Sequence, residues 1–399
     1  MRIGLFEDEG WRRLLPLSRL RPAWHFWWGM DRLADKWQRY YDWEVAGYWT
    51  PRPILHRLFP PIVPSEEIIW INARLLPLSE DFPRWLKEIG PEIVYVTSEG
   101  IPVAVRTRRF LSPERQPAFE RGRTTEVPAE LALAWLREVT DLFSLTGEII
   151  LADWRHLKEK SAPLPSTLSV RGKENVFFHP TARAGFCIVS AEEGPVWIGP
   201  QAELQDGSIV QHTNAIGPHT MILTGARIRT HNSFGPFCKV GGEVGQSTIL
   251  GYSNKAHEGF LGHSVVGEWC NIGAGSNTSN LKNTYGPVRL YDPEAGQLRE
   301  TGLQFCGLIM GDFARCGIQT PFTTGCMVDI FANVVTNTFT PKYIPPFFWD
   351  KEQVWDCDKA ILTAKRMYSR RSKPFTEAEE ALLRAWYEAL VQKKVGKAS

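Results

Sequence analysis

The sequence predicts three parts in order: an α/β domain over residues 1–160, a left-handed parallel β-helix over residues 176–340, and a helical tail over residues 341–399. Two patterns of apolar residues predict this order. Strand-like and helix-like spacings alternate in the first part, whereas a fixed six-residue repeat begins after Val196. Composition changes at the same place, because eleven of the sixteen tryptophans lie before residue 160 and glycine concentrates after residue 194. We therefore expect a linker at residues 161–175.

The first part combines short apolar runs with longer amphipathic segments. Runs typical of strands are Ile3–Phe6, Ile68–Ile71 and Ile93–Val96. Helix-like spacing covers Asp31–Tyr40, Glu80–Ile89 and Pro128–Phe143. The alternation of the two predicts a small α/β domain with a mainly parallel sheet.

The six-residue repeat defines the second part. Every sixth residue from Ile198 to Val240 is apolar, and glycine follows at Gly199, Gly217, Gly235 and Gly241. This period predicts a triangular coil, in which each rung points one branched side chain inward and glycine makes the tight corner. The phase slips near Gln246, stops between about Ser276 and Gln304, and returns from Met310 to Val334. The interrupted stretch is therefore expected to loop out of the coil.

The tail contains two amphipathic segments, Lys351–Arg371 and Thr376–Gln392, which predict helices. They are expected either to cap the open end of the solenoid or to contact the site of a neighbouring subunit.

Composition argues against several classes of partner. The formal net charge is +2 and 43% of residues are hydrophobic, so there is no basic excess for nucleic acid or an anionic membrane. The first residues lack the apolar stretch of a signal peptide, so we expect a cytoplasmic protein. The seven cysteines show no zinc-binding spacing with histidine, so we expect reduced core residues and no structural metal.

Two segments of the solenoid carry a specific motif. Residues 254–262 read Asn-Lys-Ala-His-Glu-Gly-Phe-Leu-Gly, and residues 271–280 read Asn-Ile-Gly-Ala-Gly-Ser-Asn-Thr-Ser-Asn. Together they resemble the acetyltransferase half of the GlmU-type glucosamine-1-phosphate acetyltransferase/N-acetylglucosamine-1-phosphate uridylyltransferases, over roughly Gly235 to Asn337. The resemblance implies acetyl-CoA as cofactor, an amino sugar phosphate as substrate, a homotrimer, and a role in nucleotide-sugar and cell-envelope synthesis.

The candidate site residues follow from this resemblance. His257 takes the place of the general base, because a histidine that titrates near neutrality can accept a proton as an amine attacks a thioester. The substrate positions are Lys239, Lys255, Phe260, Asn271 and Asn280, and the acetyl-CoA positions are Ala274, Lys282, Gly311 and Ala332. His263 is an alternative base, and Glu258 either orients His257 or is a solvated neighbour. Asn271 and Asn280 also have a purely conformational reading, because asparagine suits solenoid corners.

The first domain shows a second resemblance. Residues 15–22 read Leu-Pro-Leu-Ser-Arg-Leu-Arg-Pro and resemble a divergent branch of sugar nucleotidyltransferases. That family's glycine-rich triphosphate loop is absent, and Asn72 stands where a metal-binding aspartate is expected. The resemblance implies a reduced nucleotidyltransferase-like domain, with the nucleotide-binding candidates Arg12, Arg13, Arg19, Arg21 and Asn72. Mg²⁺ is expected only if this domain is active.

Three functions remain open at this point. The first is an acetyl-CoA-dependent N-acetyltransferase that acts on glucosamine 1-phosphate, with coupled uridylyl transfer to UDP-N-acetylglucosamine left open. The second keeps the acyl transfer but uses a nucleotide-linked amino sugar, which Phe260 in place of a tyrosine and the long interruption of the repeat favour. The third is a non-catalytic trimeric scaffold that binds a sugar nucleotide.

Overall fold

The computed structural model describes residues 1–112, 115–349 and 353–392. The chain forms two units. The N-terminal unit comprises Met1–Leu14, Arg21–Phe26 and Arg32–Arg137, and the solenoid unit comprises Leu15–Leu20, Trp27–Asp31 and all residues from Glu138 onwards. No helix in these described ranges is both long enough and apolar enough to cross a bilayer.

The N-terminal unit is built on a six-stranded sheet. Its strands are β1 Arg2–Phe6, β2 Glu44–Trp49, β3 Ile68–Asn72, β4 Ile93–Val96, β5 Pro102–Thr107 and β6 Arg123–Glu126, in the order β2-β1-β3-β5-β4-β6. Among the described strands of this sheet only β5 runs antiparallel to its neighbours, so the prediction of a mainly parallel sheet is confirmed. Alternate residues bury both faces: Leu5 and Ile71 pack with Trp37, while Phe6 and Trp70 pack on the other side.

The helices of this unit are α1 Leu33–Tyr41, α2 Asp81–Glu88 and α3 Ala118–Arg121. The first two confirm the predicted segments to within two residues. The helix predicted over Pro128–Phe143 is wrong. Residues Ala134–Trp135 instead form a short strand that pairs antiparallel with Leu75–Leu76. Pairing with a distant strand outweighs the local helical spacing there.

The solenoid unit contains a parallel β-helix with three faces. Face A carries Val176–Phe178, Val196–Ile198, Asn214–Ile216, Asn232–Phe234, the second half of Glu243–Gly251, the second half of Phe260–Glu268, Ile309–Met310, Met327–Val328 and Tyr343–Ile344. Face B carries Arg183–Ala184, Glu203–Leu204, Met221–Ile222, Lys239–Val240, Asn254–Lys255, Arg315–Cys316, Asn333–Val334 and Phe348–Trp349, which pairs with Gln353–Val354. Face C carries Leu168–Arg171, Cys187–Ser190, Ile209–Val210, Arg227–Ile228, the first halves of the two long strands, Asn277–Thr278 and Pro321–Phe322.

The repeat residues fill the interior of the coil. All eight apolar residues at six-residue intervals from Ile198 to Val240 are at most 1% exposed, which confirms the predicted core. The glycines have a different role from the one expected. A Cβ on Gly235 would lie 1.9 Å from the Leu250 carbonyl oxygen, so glycine permits close approach of the next coil. The left-handed corner itself falls two residues later, at Phe237.

Variation in coil length explains the irregular phase. Eighteen residues separate the paired residues Ile216 and Phe234, but fifteen separate Phe234 from its partner Ile249. Forty-four residues separate Val266 from its partner Met310, because the interruption loops out as a hairpin of Arg289–Asp292 and Gln297–Glu300. The predicted insertion is therefore confirmed.

An aromatic column runs along the corner between faces A and B. Each member has a positive φ and follows an inward apolar residue by three positions; the members are His219, Phe237, Tyr252, Trp269, Phe313, Phe331 and Phe347. Successive rings stack with centroids 4.2–6.3 Å apart. Stacking offsets the cost of left-handed backbone in residues that carry a Cβ.

Other segments also join this unit before and after the coils. Residues 161–175, assigned to a linker from the sequence, include Leu168–Arg171, which pairs with Cys187–Ser190. Helices α4 Asp141–Ser144 and α5 Thr146–Arg155 precede them, and the Thr146 and Thr248 hydroxyls lie 3.0 Å apart.

The tail forms α6 Cys357–Ser369 and α7 Glu377–Tyr387, followed by a π-helical turn at Glu388–Gln392. These confirm the two predicted helices, although Lys351, Glu352 and residues 393–399 lie outside the described residues. Tyr368 stacks on Trp269 at 4.1 Å, and Tyr387 meets Phe347 at 4.9 Å. The tail therefore lies along the aromatic column of its own chain.

Candidate functional site

A cavity of about 320 Å³ lies beside the aromatic column of the solenoid unit. We call it the face-B cavity. It is lined by Lys239, Tyr252, Asn254, Trp269, Asn271, Arg315, Met367, Arg370 and Arg371. Two of the predicted substrate residues, Lys239 and Asn271, are thus brought together.

Strand register builds one wall of this cavity. Lys239 pairs with Asn254, Asn254 with Asn271, and Asn271 with Arg315, so the four side chains come from four successive coils. Side chains alternate along a strand, so the next residue of each rung points inward. Four outward polar residues therefore form one column.

The cavity is strongly positive. Lys239, Arg315, Arg370 and Arg371 line it, no carboxylate does, and within the described residues none of these four forms an ion pair. The Arg315 guanidinium donates to the Phe313 carbonyl at 3.2 Å, while its buried Nε has no hydrogen-bond partner. Burial lowers the pKa of Arg315 and of Arg371. A bound anion would relieve this uncompensated charge.

A hydrogen-bonded chain orients the asparagines. Arg371 Nη2 donates to Asn254 Oδ1 at 3.0 Å, and Asn254 Nδ2 donates to Asn271 Oδ1 at 3.4 Å. This order leaves the Asn271 amide nitrogen as a donor toward a ligand, which favours a binding role over a purely conformational one.

His257 lies on the same coil as Asn254, in the bend that follows face B. Its side chain is exposed, and in the described part of the chain its imidazole makes no hydrogen bond or ring contact. The Glu258 carboxylate is 2.8 Å from Arg227, so Glu258 pairs with arginine rather than orienting the imidazole. The histidine is therefore accessible to a substrate.

Lys255 points into the coil. It is 2% exposed, and its amine donates to the Gly241 carbonyl at 3.0 Å and to the His257 carbonyl. Burial lowers its pKa to about 8, opposed by the charge of Glu258. The amine thus braces the bend that carries His257, and a substrate contact would require it to leave these carbonyls.

Phe260 and Asn280 lie together on face C. A Cβ on Gly262 would be 2.4 Å from the Phe260 ring and 2.9 Å from Asn280 Nδ2. Asn280 Nδ2 donates to His263 Nδ1 at 2.9 Å. Burial lowers the pKa of His263 to about 4, so this alternative base is neutral and weakly basic at pH 7.

The four expected acetyl-CoA positions divide into two pairs. The Asn254–Asn271 bridge places Ala274 one coil beyond His257, and Lys282 is half-buried with its amine 3.1 Å from the Pro287 carbonyl. Both reach the surface and fit a pantetheine or phosphate contact. Gly311 and Ala332 are buried, and their N–H groups already donate to Val328 and Asp329 carbonyls at 2.8 and 3.3 Å. These two do not fit such a contact.

Ion pairs fill the loop after β1 in the N-terminal unit. Arg74 donates to both Asp8 oxygens at 2.9 and 2.7 Å, and its guanidinium carbon would lie 2.1 Å from a Cβ on Gly10. Arg52 and Glu7 form a second buried pair at 2.6 Å. The loop after β1 is therefore filled by paired side chains.

Asn72 lies at the end of β3. Its amide nitrogen donates to the Pro102 carbonyl at 2.9 Å, and its amide oxygen accepts from Arg74 N at 3.0 Å. Within the described ranges no group of three histidine, cysteine or acidic side chains could hold a metal ion. These residues do not fit Mg²⁺, which prefers free carboxylates.

The arginine candidates lie in different surroundings. Arg12 is exposed and pairs with Glu9 at 2.8 Å, Arg13 is exposed, and Arg21 is buried. Arg19, in the solenoid unit, forms two 2.7 Å hydrogen bonds to Asp329, whose carboxylate also accepts from Tyr343 Oη at 2.9 Å. Its guanidinium is thus used inside the solenoid unit.

Sequence reasoning missed Arg315, Arg370 and Arg371. An aromatic residue three positions after each inward residue of face A from Phe234 onwards signalled the column on which the tail packs. The Arg370–Arg371 pair was visible too, but only the packing of α6 assigns it to the cavity.

Comparisons with known proteins agree with both resemblances. Residues 3–162 match the family model described as sugar nucleotidyl transferase. A "Bifunctional protein GlmU" of Methanocaldococcus jannaschii is 30% identical over 112 residues, which cover 25% of this chain and 26% of that protein. The GlmU of Synechococcus elongatus is 26% identical over 175 residues, 37% of this chain and 35% of that protein.

These alignments span about a quarter to a third of the relatives' own lengths. The solved structure of the polySia specific acetyltransferase NeuO covers 52% of this chain and 99% of its own, at 13% identity and a TM-score of 0.27. The chain thus joins a match to a sugar nucleotidyl transferase model with distant similarity to GlmU proteins.

Proposed function

We propose that the solenoid unit is an N-acetyltransferase that moves the acetyl group of acetyl-CoA to the amine of an amino sugar phosphate, with glucosamine 1-phosphate as acceptor. The observation that carries this proposal is the carboxylate-free face-B cavity, whose lining residue Asn254 belongs to the coil that also presents His257. Lys239 and Asn271 would hold the phosphate, because both donate hydrogen bonds and one is cationic.

The reaction needs a base that removes a proton from the attacking amine. The amine lone pair attacks the thioester carbonyl carbon, so a C–N bond forms and the C–S bond breaks. His257 accepts the ammonium proton and returns it to the leaving thiolate, which departs as the free thiol of coenzyme A. Such a base contributes roughly 10²–10⁴-fold to the rate.

Other positions take supporting roles in this proposal. Ala274 and Lys282 would contact the acetyl-CoA arm, since neither side chain is fully buried and Ala274 lies one coil beyond His257. Phe260 and Asn280 remain expected contacts of the acceptor substrate. Lys255 would hold the bend in place through its two carbonyl bonds.

We also propose a homotrimer in the cytoplasm. Three apolar side chains are strongly exposed: Ile318 at 71%, Val335 at 56% and Phe339 at 73%. Ile318 takes the position on its coil that Ala274 takes on the coil before it. Exposed apolar side chains close to a site support subunit contact there.

Release of thiol from acetyl-CoA tests the proposal. Purified full-length wild type is expected to release thiol only when glucosamine 1-phosphate is present, and His257→Ala is expected to lower kcat roughly 10²–10⁴-fold. His179→Ala is the control, because His179 is a half-buried histidine on an early coil whose Nδ1 is engaged with Thr181.

The other hypotheses predict different results. Thiol release only with a UDP-linked amino sugar would move the acceptor to the second hypothesis. Absence of acetyl-CoA binding by calorimetry would overturn acyl transfer and favour the scaffold.

A further inference from the structure

The tail supplies part of the face-B cavity. Met367 lies in α6, and Arg370 and Arg371 follow its last turn; all three line the cavity. Without the tail, the solenoid coils would contribute only Lys239 and Arg315 as cations. The tail therefore doubles the number of positive charges.

The tail is held at this place by specific contacts. Tyr368 stacks on Trp269 with centroids 4.1 Å apart, and Arg371 donates to Asn254 at 3.0 Å. Lys373 donates to the Tyr252 hydroxyl at 2.9 Å and lies 4.4 Å from its ring centroid. Arg370 is exposed and makes no side-chain hydrogen bond or ion pair with any described residue.

Four cations that line one cavity without a carboxylate favour the binding of a compensating anion. Like charges near a protein surface repel each other by several kcal/mol at about 4 Å. A phosphomonoester carries close to two negative charges at pH 7 and offers three acceptor oxygens. Arginine forks and an asparagine amide match such a group in charge and in hydrogen-bond donors.

We propose that Arg370 and Arg371 make the face-B cavity a phosphomonoester site and determine acceptor specificity. The role in acceptor specificity rests on the proposed acetyl transfer, whereas the binding of a phosphomonoester does not depend on it. It assigns the phosphate to the acceptor rather than to the 3′-phosphate of coenzyme A. An unphosphorylated amino sugar leaves the cations uncompensated and is bound weakly.

Calorimetry with the full-length chain tests the site without turnover. The probes are glucosamine 1-phosphate, glucosamine, coenzyme A and 3′-dephospho-coenzyme A. Arg370→Gln is expected to weaken glucosamine 1-phosphate binding roughly 10–100-fold, as loss of a charged hydrogen bond does. Arg366→Gln removes the same charge from the same helix outside the cavity, so it is expected to bind like wild type.

Arg371→Gln provides a second variant, because its side chain also braces Asn254. Wild-type affinity in both Arg370→Gln and Arg371→Gln would overturn the proposal, as would equal affinity for glucosamine and its 1-phosphate. If these two variants weaken the binding of coenzyme A but not of 3′-dephospho-coenzyme A, the assignment of the phosphate to the acceptor is overturned. Phosphate-dependent binding without thiol release would support this site while contradicting the proposed reaction.

Discussion

At the scale of single residues, the charged interior of the coil is unusual. One inward column of face B reads Leu204, Ile222, Val240, Lys255 and then Ile272. A lysine takes an apolar place there because its amine reaches two corner carbonyls beside His257. Its chemistry thus serves the bend that positions a proposed base.

Lys255 predicts a pH-dependent stability. Its folded pKa is lowered from 10.5 to about 8, so the protonated amine destabilises the fold fully below pH 8, and this penalty disappears as pH rises toward 10.5. Relative to wild type, Lys255→Met should gain about 2–3 kcal/mol more at pH 7 than at pH 10. Urea denaturation at the two pH values measures this difference.

Ile272→Met serves as the control for that experiment, because it alters the same column without removing an amine. Its difference from wild type is expected to be equal at both pH values. The same equality for Lys255→Met would contradict the lowered pKa.

At the scale of elements, the aromatic column links the solenoid to its tail. The column exists because seven successive coils, from His219 to Phe347, place an aromatic ring at the same left-handed corner, one coil spacing from the next. Helix α6 then uses it as a packing surface, which carries two arginines to the cavity.

Trp269→Ala should separate these elements. Trp269 is 3% exposed and stacks between Tyr252 and Tyr368, so its loss is expected to cost about 3–5 kcal/mol of unfolding free energy. Trypsin should also cleave faster near Arg370, because the turn loses its support. Tyr285→Ala, at a 67% exposed aromatic residue, should change stability by less than about 0.5 kcal/mol. Unchanged trypsin cleavage in Trp269→Ala would contradict this account of the tail.

At the scale of the whole molecule, the two units differ in whether the polar side chains of their candidate sites are available to a ligand. The solenoid unit has a cavity with donors free to bind a ligand. In the N-terminal unit, Arg74 and Asp8 occupy the loop after β1, and both ends of the Asn72 amide are used.

We therefore expect no uridylyl transfer by the N-terminal unit. Wild type with UTP, N-acetylglucosamine 1-phosphate and Mg²⁺ should release no pyrophosphate above a protein-free blank, because Arg74 is paired with Asp8 and Asn72 offers no carboxylate for the metal ion. A GlmU relative assayed in parallel provides the positive control. Mg²⁺-dependent pyrophosphate release by the wild type would overturn this reading.

Much of the architecture follows from the sequence alone. The coil interior from Ile198 to Val240 could be predicted because inward pointing every sixth residue is a local property of short strands and corners. The outward loop was predictable because it interrupts this period, and the two tail helices were predictable from their amphipathic spacing. His257 was predictable only through its motif.

Tertiary structure decided which residues share the candidate site. Coil lengths of 18, 15 and 44 residues set which rungs pair, and only backbone pairing between distant strands puts Lys239 and Arg315 in one column. Packing of α6 on the aromatic column decided the place of Arg370 and Arg371. The position of Lys255 in its rung points its side chain into the coil, and Arg74 forms its ion pair with the distant Asp8. Each outcome depends on contacts between residues far apart in the chain, which local spacing does not encode.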